Sequence, residues 1–173
     1  MTPCRFLVLA LATLAIAVAV AGCGSGSSGS SNASNSDSKP TSAGPVTISV
    51  ASSGVGDILN DSHNRALYLF KKDTGPKSTC FGPCAQNWPP VRATGKPTAG
   101  SGANASLIST IKRSDGAPQV TYNGHPLYLY VGDNAPGAIN GQGLTAFGAT
   151  WYVVSPQGNQ VTGKSTAAPS NGY

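Results

Sequence analysis

The chain contains no Glu at any of its 173 positions, and its one Met is Met1. Any carboxylate pair must therefore come from two Asp residues. With no second Met, a soft axial copper ligand and a His/Met haem site are excluded. Charged residues make up only 10% of the chain, and His occurs twice, as His63 and His125. No amphipathic helix of useful length is written anywhere. The sequence also lacks a Gly-x-Ser-x-Gly elbow and a His-Glu-x-x-His helix, which removes the usual serine-hydrolase and zinc-protease arrangements. The only long apolar run is Phe6 to Val20, too short for a stable membrane span.

That run follows Arg5 and reads as the apolar region of a secretory signal, residues 1–22. Val20-Ala21-Gly22-Cys23 resembles a bacterial lipobox, which implies cleavage before Cys23 and lipidation of its thiol. The lipid bilayer is then the first expected partner. Residues 23–45 hold the lipidated Cys and a Ser, Gly and Asn linker with too little apolar surface to offset the entropy of ordering. A coil of that length spans roughly 25 Å between its ends. After residue 22, ten Lys and Arg stand against six Asp, a net charge of +4. Charges are screened over about 8 Å at physiological salt, so this balance reads as a solvated face and no nucleic-acid partner is expected.

Residues 46–156 are expected to fold as one domain, with 157–173 a polar tail. The domain writes one stretch twice. Arg65-Ala66-Leu67-Tyr68-Leu69-Phe70-Lys71-Lys72-Asp73 is followed by Trp88, and His125-Pro126-Leu127-Tyr128-Leu129-Tyr130-Val131-Gly132-Asp133 by Trp151. Such repetition predicts two modules, about 46–95 and 105–156, that bury their apolar faces against each other.

Thr47 to Val50 alternates like a strand. Asp57-Ile58-Leu59 and Ala66 to Phe70 flank the turn formers Asn60 to Asn64, which predicts a hairpin. In the second strand Leu67 and Leu69 share one face, Tyr68 and Phe70 the other, so it reads as central. Cys80 to Trp88 allows one helical turn that Pro89-Pro90 stops. Leu107 to Ile111 fits a strand or a helical turn. Asn123-Gly124 between Gln119–Tyr122 and Pro126–Tyr130 predicts a two-residue hairpin. The fold class is all-β, a pseudo-twofold assembly of two hairpin repeats.

The motifs Tyr68-x-Phe70-x-x-Asp73 and Tyr128-x-Tyr130-x-x-Asp133 resemble a bacterial secreted-repeat lipoprotein family of unknown function. Cys80-x-x-x-Cys84 with Trp88-Pro89-Pro90, Gln119 to Gly124, and Gly141-Gln142-Gly143 carry the same resemblance. It covers about residues 46–156. The first copy departs at Phe70, which lacks the phenol of Tyr130.

With Cys23 acylated, Cys80 and Cys84 are the remaining thiols, and in an oxidising compartment an even pair reads as a disulfide. The alternative is a zinc or copper site of Cys80, Cys84, His63 and His125. Asp73 and Asp133 read as caps of the loops that follow their strands. Their functional alternatives are a hydrolytic acid–base pair or a hard-cation set. The six repeat aromatics Tyr68, Phe70, Tyr128, Tyr130, Trp88 and Trp151 read as core. Gly158 to Ser165 satisfies the P-loop pattern, but no helix can follow it before the chain ends, so it reads as tail composition.

The resulting expectation is a membrane-anchored extracytoplasmic module that binds or scaffolds without catalysis and carries no cofactor, its envelope partner unspecified. A metal or redox protein and an Asp-pair hydrolase are the competing readings.

Overall fold

The computed structural model describes residues 45–93 and 95–163. Cys23, the signal segment and the linker up to residue 44 lie outside the described residues, as do Lys164 and Ser165 of the P-loop pattern.

In chain order the elements are β1 (Thr47–Ser53), β2 (Gly56–Asn60), β3 (Tyr68–Phe70), α1 (Pro83–Asn87), β4 (Thr98–Ala99), a 3-10 turn (Ala105–Leu107), β5 (Ile108–Lys112), β6 (Pro118–Tyr122), β7 (His125–Pro126), β8 (Thr145–Ala146) and β9 (Ala149–Val153). They form three small sheets ordered β2-β1-β4, β3-β9-β8 and β5-β6-β7. The fold is all-β, with two repeats.

Local chemistry fixes the turns. At Asn123-Gly124 the flanking residues pair as Tyr122↔His125. The turn needs positive φ at both positions, and Asn123 (φ 48°) and Gly124 (φ 77°) supply it. The earlier turn is held by Asp61, whose carboxylate accepts from the backbone N–H of His63 (2.9 Å) and Arg65 (3.0 Å) and from the Arg65 guanidinium (2.6 and 2.8 Å). Helix α1 opens on Pro83, whose missing N–H is harmless there, and ends before the two prolines. Leu107 to Ile111 proves to be both readings in succession. Asn104 caps the 3-10 turn by accepting from the Ser106 N–H, and β5 begins at Ile108.

The first expected hairpin is shorter than its pattern. Ala66 bridges Asn60 and the Leu67 N–H donates to the Leu59 carbonyl at 3.0 Å. From Tyr68 onward the strand pairs instead with β9, in register Tyr68↔Val153 and Phe70↔Trp151. Its other edge meets Tyr128. β3 is thus a central strand buried on both faces. The alternation of Leu and aromatic residues separates two cores. Leu67, Leu69, Leu127 and Leu129 enter an aliphatic cluster with Ile48, Leu59, Val91, Val120 and Val154. Tyr68, Phe70 and Tyr128 enter an aromatic cluster with Trp88, Trp151, Cys80 and Cys84.

The folded chain also runs past the expected boundary at 156. Val154 bridges Gln160, the Val161 N–H donates to the Val153 carbonyl at 3.0 Å, and Val161 packs on the aromatic cluster. A further backbone turn runs from Ser155 to Asn159, where Gly158 (φ 81°) is buried. The chain thus stays paired to the fold through Gln160 and Val161, and no helix begins within the described residues 158–163.

Candidate functional site

The two repeats meet where their tyrosines cross. The Tyr68 N–H donates to the Tyr128 carbonyl at 2.9 Å, and the Tyr128 N–H returns the bond to the Tyr68 carbonyl at 3.0 Å. Bonds on either side come in matching pairs. Leu67 to Leu59 and Leu127 to Val120 are both 3.0 Å, while Leu59 to Val154 and Val120 to Val91 are both 2.8 Å. Lys71 to Thr150 and Val131 to Asn87 are both 3.1 Å. These matches make Trp88 and Trp151, three residues before Val91 and Val154, equivalent by the same pseudo-twofold.

The side chains exchange partners across that axis. The Tyr68 hydroxyl donates to Asp133 at 2.7 Å, and the Tyr128 hydroxyl donates to Asp73 at 2.6 Å. Each aspartate therefore holds the tyrosine of the other repeat. The second oxygen of each caps its own loop, as expected. Asp73 accepts from the N–H and hydroxyl of Thr79, both at 2.7 Å, and Asp133 from the N–H of Asn140 at 2.7 Å. Burial in an apolar core, then the adjacent carboxylate, pushes both phenol pKa values well above the ordinary tyrosine range. Burial also raises Asp133, against the opposing pull of Tyr68, Asn140 and Gly141.

Behind the tyrosines the rings form one continuous stack in the order Phe70, Trp151, Trp88, Tyr130. Their centroids are 4.0, 4.0 and 4.2 Å apart, with interplanar angles of 9°, 3° and 25°. Tyr68 meets Trp88 edge-on at 5.3 Å, and Tyr128 meets Trp151 edge-on at 5.2 Å. The stack is palindromic except at its ends, where Phe70 stands opposite Tyr130. Gly141 is required by this packing. A Cβ there would come 2.7 Å from Trp88 and 2.9 Å from Tyr68, and its N–H donates to the Tyr68 hydroxyl at 3.3 Å.

Residues of both repeats complete the half of the site around Asp73. Arg113, only 4% exposed, donates to Ser78 (2.6 Å), Gln119 (2.7 Å) and the Cys80 carbonyl (2.7 Å). Asp115 meets its Nε at 3.3 Å and Phe81 lies under its guanidinium at 4.5 Å. Ser78 stands 2.8 Å from the Tyr128 hydroxyl. Since that phenol's proton points to Asp73, the serine donates to it. Sequence reasoning singled out none of Ser78, Thr79, Arg113 and Gln119 as site residues. Nothing in Lys112-Arg113-Ser114-Asp115 marks Arg113 as the buried one of its two cations, and once buried it must find acceptors for its donors.

Cys80 and Cys84 are joined as a disulfide, with Cα atoms 5.2 Å apart. Their sulfurs are not free thiolates, and no group of three or more His, Cys or Asp among the described residues could hold a metal ion. His63 sits exposed on the Asp61 turn. His125 is half-buried on β7, its pKa lowered by burial and then Lys71, against Asp73. The structure thus does not gather the four-residue metal set. The hydrolytic reading needs carboxylates facing one substrate, whereas Asp73 and Asp133 share no hydrogen-bond partner among the described residues. Reducing the disulfide should lower stability by only about 2 kcal/mol in the chain-entropy estimate, because it closes a short loop. Thiol titration of the unfolded, unreduced protein checks the bond itself and should find none at Cys80 or Cys84.

The family described as a secreted repeat of unknown function matches the chain twice, over residues 49–92 and 109–155. The two matches cover more than half of the sequence and fall on the two repeats, so the chain belongs to this family. The description of that family as a secreted repeat points to a location outside the cytoplasm. No described helix is long and apolar enough to cross a membrane. No curated protein and no solved structure matches the chain.

Proposed function

We propose that this member of the secreted-repeat family is a lipoprotein held at the membrane by acyl chains on Cys23, its β domain acting as a non-enzymatic surface binding or scaffolding module. The observation that carries the reading is the internal use of the candidate carboxylates, the cysteines and the buried arginine. Asp73 and Asp133 are held by tyrosines and loop amides, Cys80 and Cys84 by each other, and Arg113 by four partners. Groups that must move protons or ligate substrate need an open valence, and these are closed by the fold itself. The sequence between Cys23 and the domain is rich in Ser, Gly and Asn, a composition suited to a tether that would let the domain reach an envelope partner.

Stable anchoring takes two acyl chains or more, because one alone binds only marginally. Cys23→Ala should therefore move the protein out of the membrane fraction and abolish incorporation of an acyl label. A variant that fractionates and labels like the parent would remove the anchor from the proposal.

A further inference from the structure

The aromatic core has a feature that packing alone does not require. Two indoles lie face to face, and each is met edge-on by a phenol whose proton already points at a carboxylate. Stacked indoles delocalise a missing electron over two rings. A phenol gives up an electron far more easily when its proton can leave at the same moment, and a carboxylate at hydrogen-bond distance is the acceptor for it. The ends of the stack differ as well. Phe70 is 2% exposed and resists oxidation, whereas Tyr130 is a phenol only half-buried at the edge of the cluster.

We propose that this core is a one-electron relay, in which an oxidising equivalent received at the Tyr130–Trp88 end crosses to Trp151 and settles on Tyr68 or Tyr128. The co-reactant is a one-electron oxidant of high potential, a metal complex or a radical, meeting the protein outside the cytoplasm. It takes one electron from Trp88 and is reduced, leaving an indole radical cation shared with Trp151 at 4.0 Å. Tyr68 or Tyr128 then returns an electron to the indole. Its phenolic proton passes along the existing hydrogen bond to Asp133 or Asp73. The products are a neutral tyrosyl radical and a protonated carboxyl group, with no net proton lost. A reductant supplying one electron reverses both transfers. Burial of Asp133, which already favours its protonated form, assists the step at Tyr68. The inference stands apart from the lipid anchor and does not depend on it.

The test is flash photolysis of the folded protein with photogenerated tris(bipyridine)ruthenium(III) as oxidant, followed optically and by freeze-quench electron paramagnetic resonance. The parent should show an indole radical that decays into a tyrosyl signal, more slowly in deuterium oxide because the proton moves with the electron. In Tyr68→Phe/Tyr128→Phe the indole radical should persist roughly tenfold longer or more, a barrier change of about 1.36 kcal/mol. Asp73→Asn/Asp133→Asn should prolong it too, with both phenols present, because a carboxamide does not take the proton. A purely structural role of the aspartates would leave that lifetime unchanged. Equally fast tyrosyl formation in the double Phe protein, or an indole decay in the parent with no isotope effect, would overturn the relay. The parent measurement decides the matter even where a variant does not fold.

Discussion

Trp151→Ala should destabilise the domain by about 3–5 kcal/mol, the range for truncating a large buried aromatic. Trp151 is fully buried, sandwiched between Phe70 and Trp88 at 4.0 Å each and met edge-on by Tyr128. Its indole N–H donates to the Ala146 carbonyl at 3.3 Å. Each ring pair is worth about 0.5–1.5 kcal/mol beyond the area it buries. The cavity cannot close easily, since Phe70 on one side is held in β3 and Trp88 on the other at the C-terminal end of α1. Domains of this kind are stable by about 5–15 kcal/mol in total, so one substitution removes a large share. Urea unfolding should show a lower midpoint at unchanged slope. Trp151→Phe should lose less, because a ring remains in the stack. A midpoint shift for Trp151→Ala worth under about 1 kcal/mol, typical of a surface site, would show that the stack is not the core of the fold.

What the sequence shows, and what it hides, divides along a physical line. Period-two alternation decides which side of a strand a residue faces, so Leu67 with Leu69 and Tyr68 with Phe70 sort themselves into two cores before any partner is known. Local turn chemistry is legible for the same reason, as at Asn123-Gly124 and at Pro89-Pro90. The two cysteines are four residues apart, so their pairing is also a local matter. Pairing between repeats is different. Both copies carry Tyr-x-aromatic-x-x-Asp, so a bond from Tyr68 to Asp73 and one from Tyr68 to Asp133 look the same in sequence. Only the reciprocal crossing at Tyr68 and Tyr128 places each hydroxyl beside the other copy's acid. The buried Arg113 network and the extension to Gly163 were hidden likewise, because both join residues far apart in the chain.

The exchanged tyrosines lead to a second large effect, at alkaline pH. Both phenols are fully buried against a carboxylate, and their folded pKa values lie well above the value near 10 of an exposed tyrosine. A group whose folded pKa is raised contributes stability that is fully present below its unfolded pKa. That contribution is lost as pH climbs from there toward the folded pKa. Above about pH 10 the unfolded chain has released two protons that the folded one keeps. Stability should then fall by roughly 1.4 kcal/mol per pH unit for each tyrosine, nearly 3 kcal/mol for the pair. The phenolate absorbance of Tyr68 and Tyr128 should appear only with unfolding. Tyr68→Phe separates this linkage from packing. Near neutral pH it leaves one Asp133 oxygen without its donor, which costs about 1–3 kcal/mol. In alkali the same variant should lose stability at about half the rate of the parent, so the two stability curves converge as pH rises. Urea unfolding followed across this range measures both slopes directly. A parent whose stability stays flat well beyond the ordinary phenol pKa, or a Tyr68→Phe curve parallel to it, would mean the crossed tyrosine–aspartate pairs are not closed in solution.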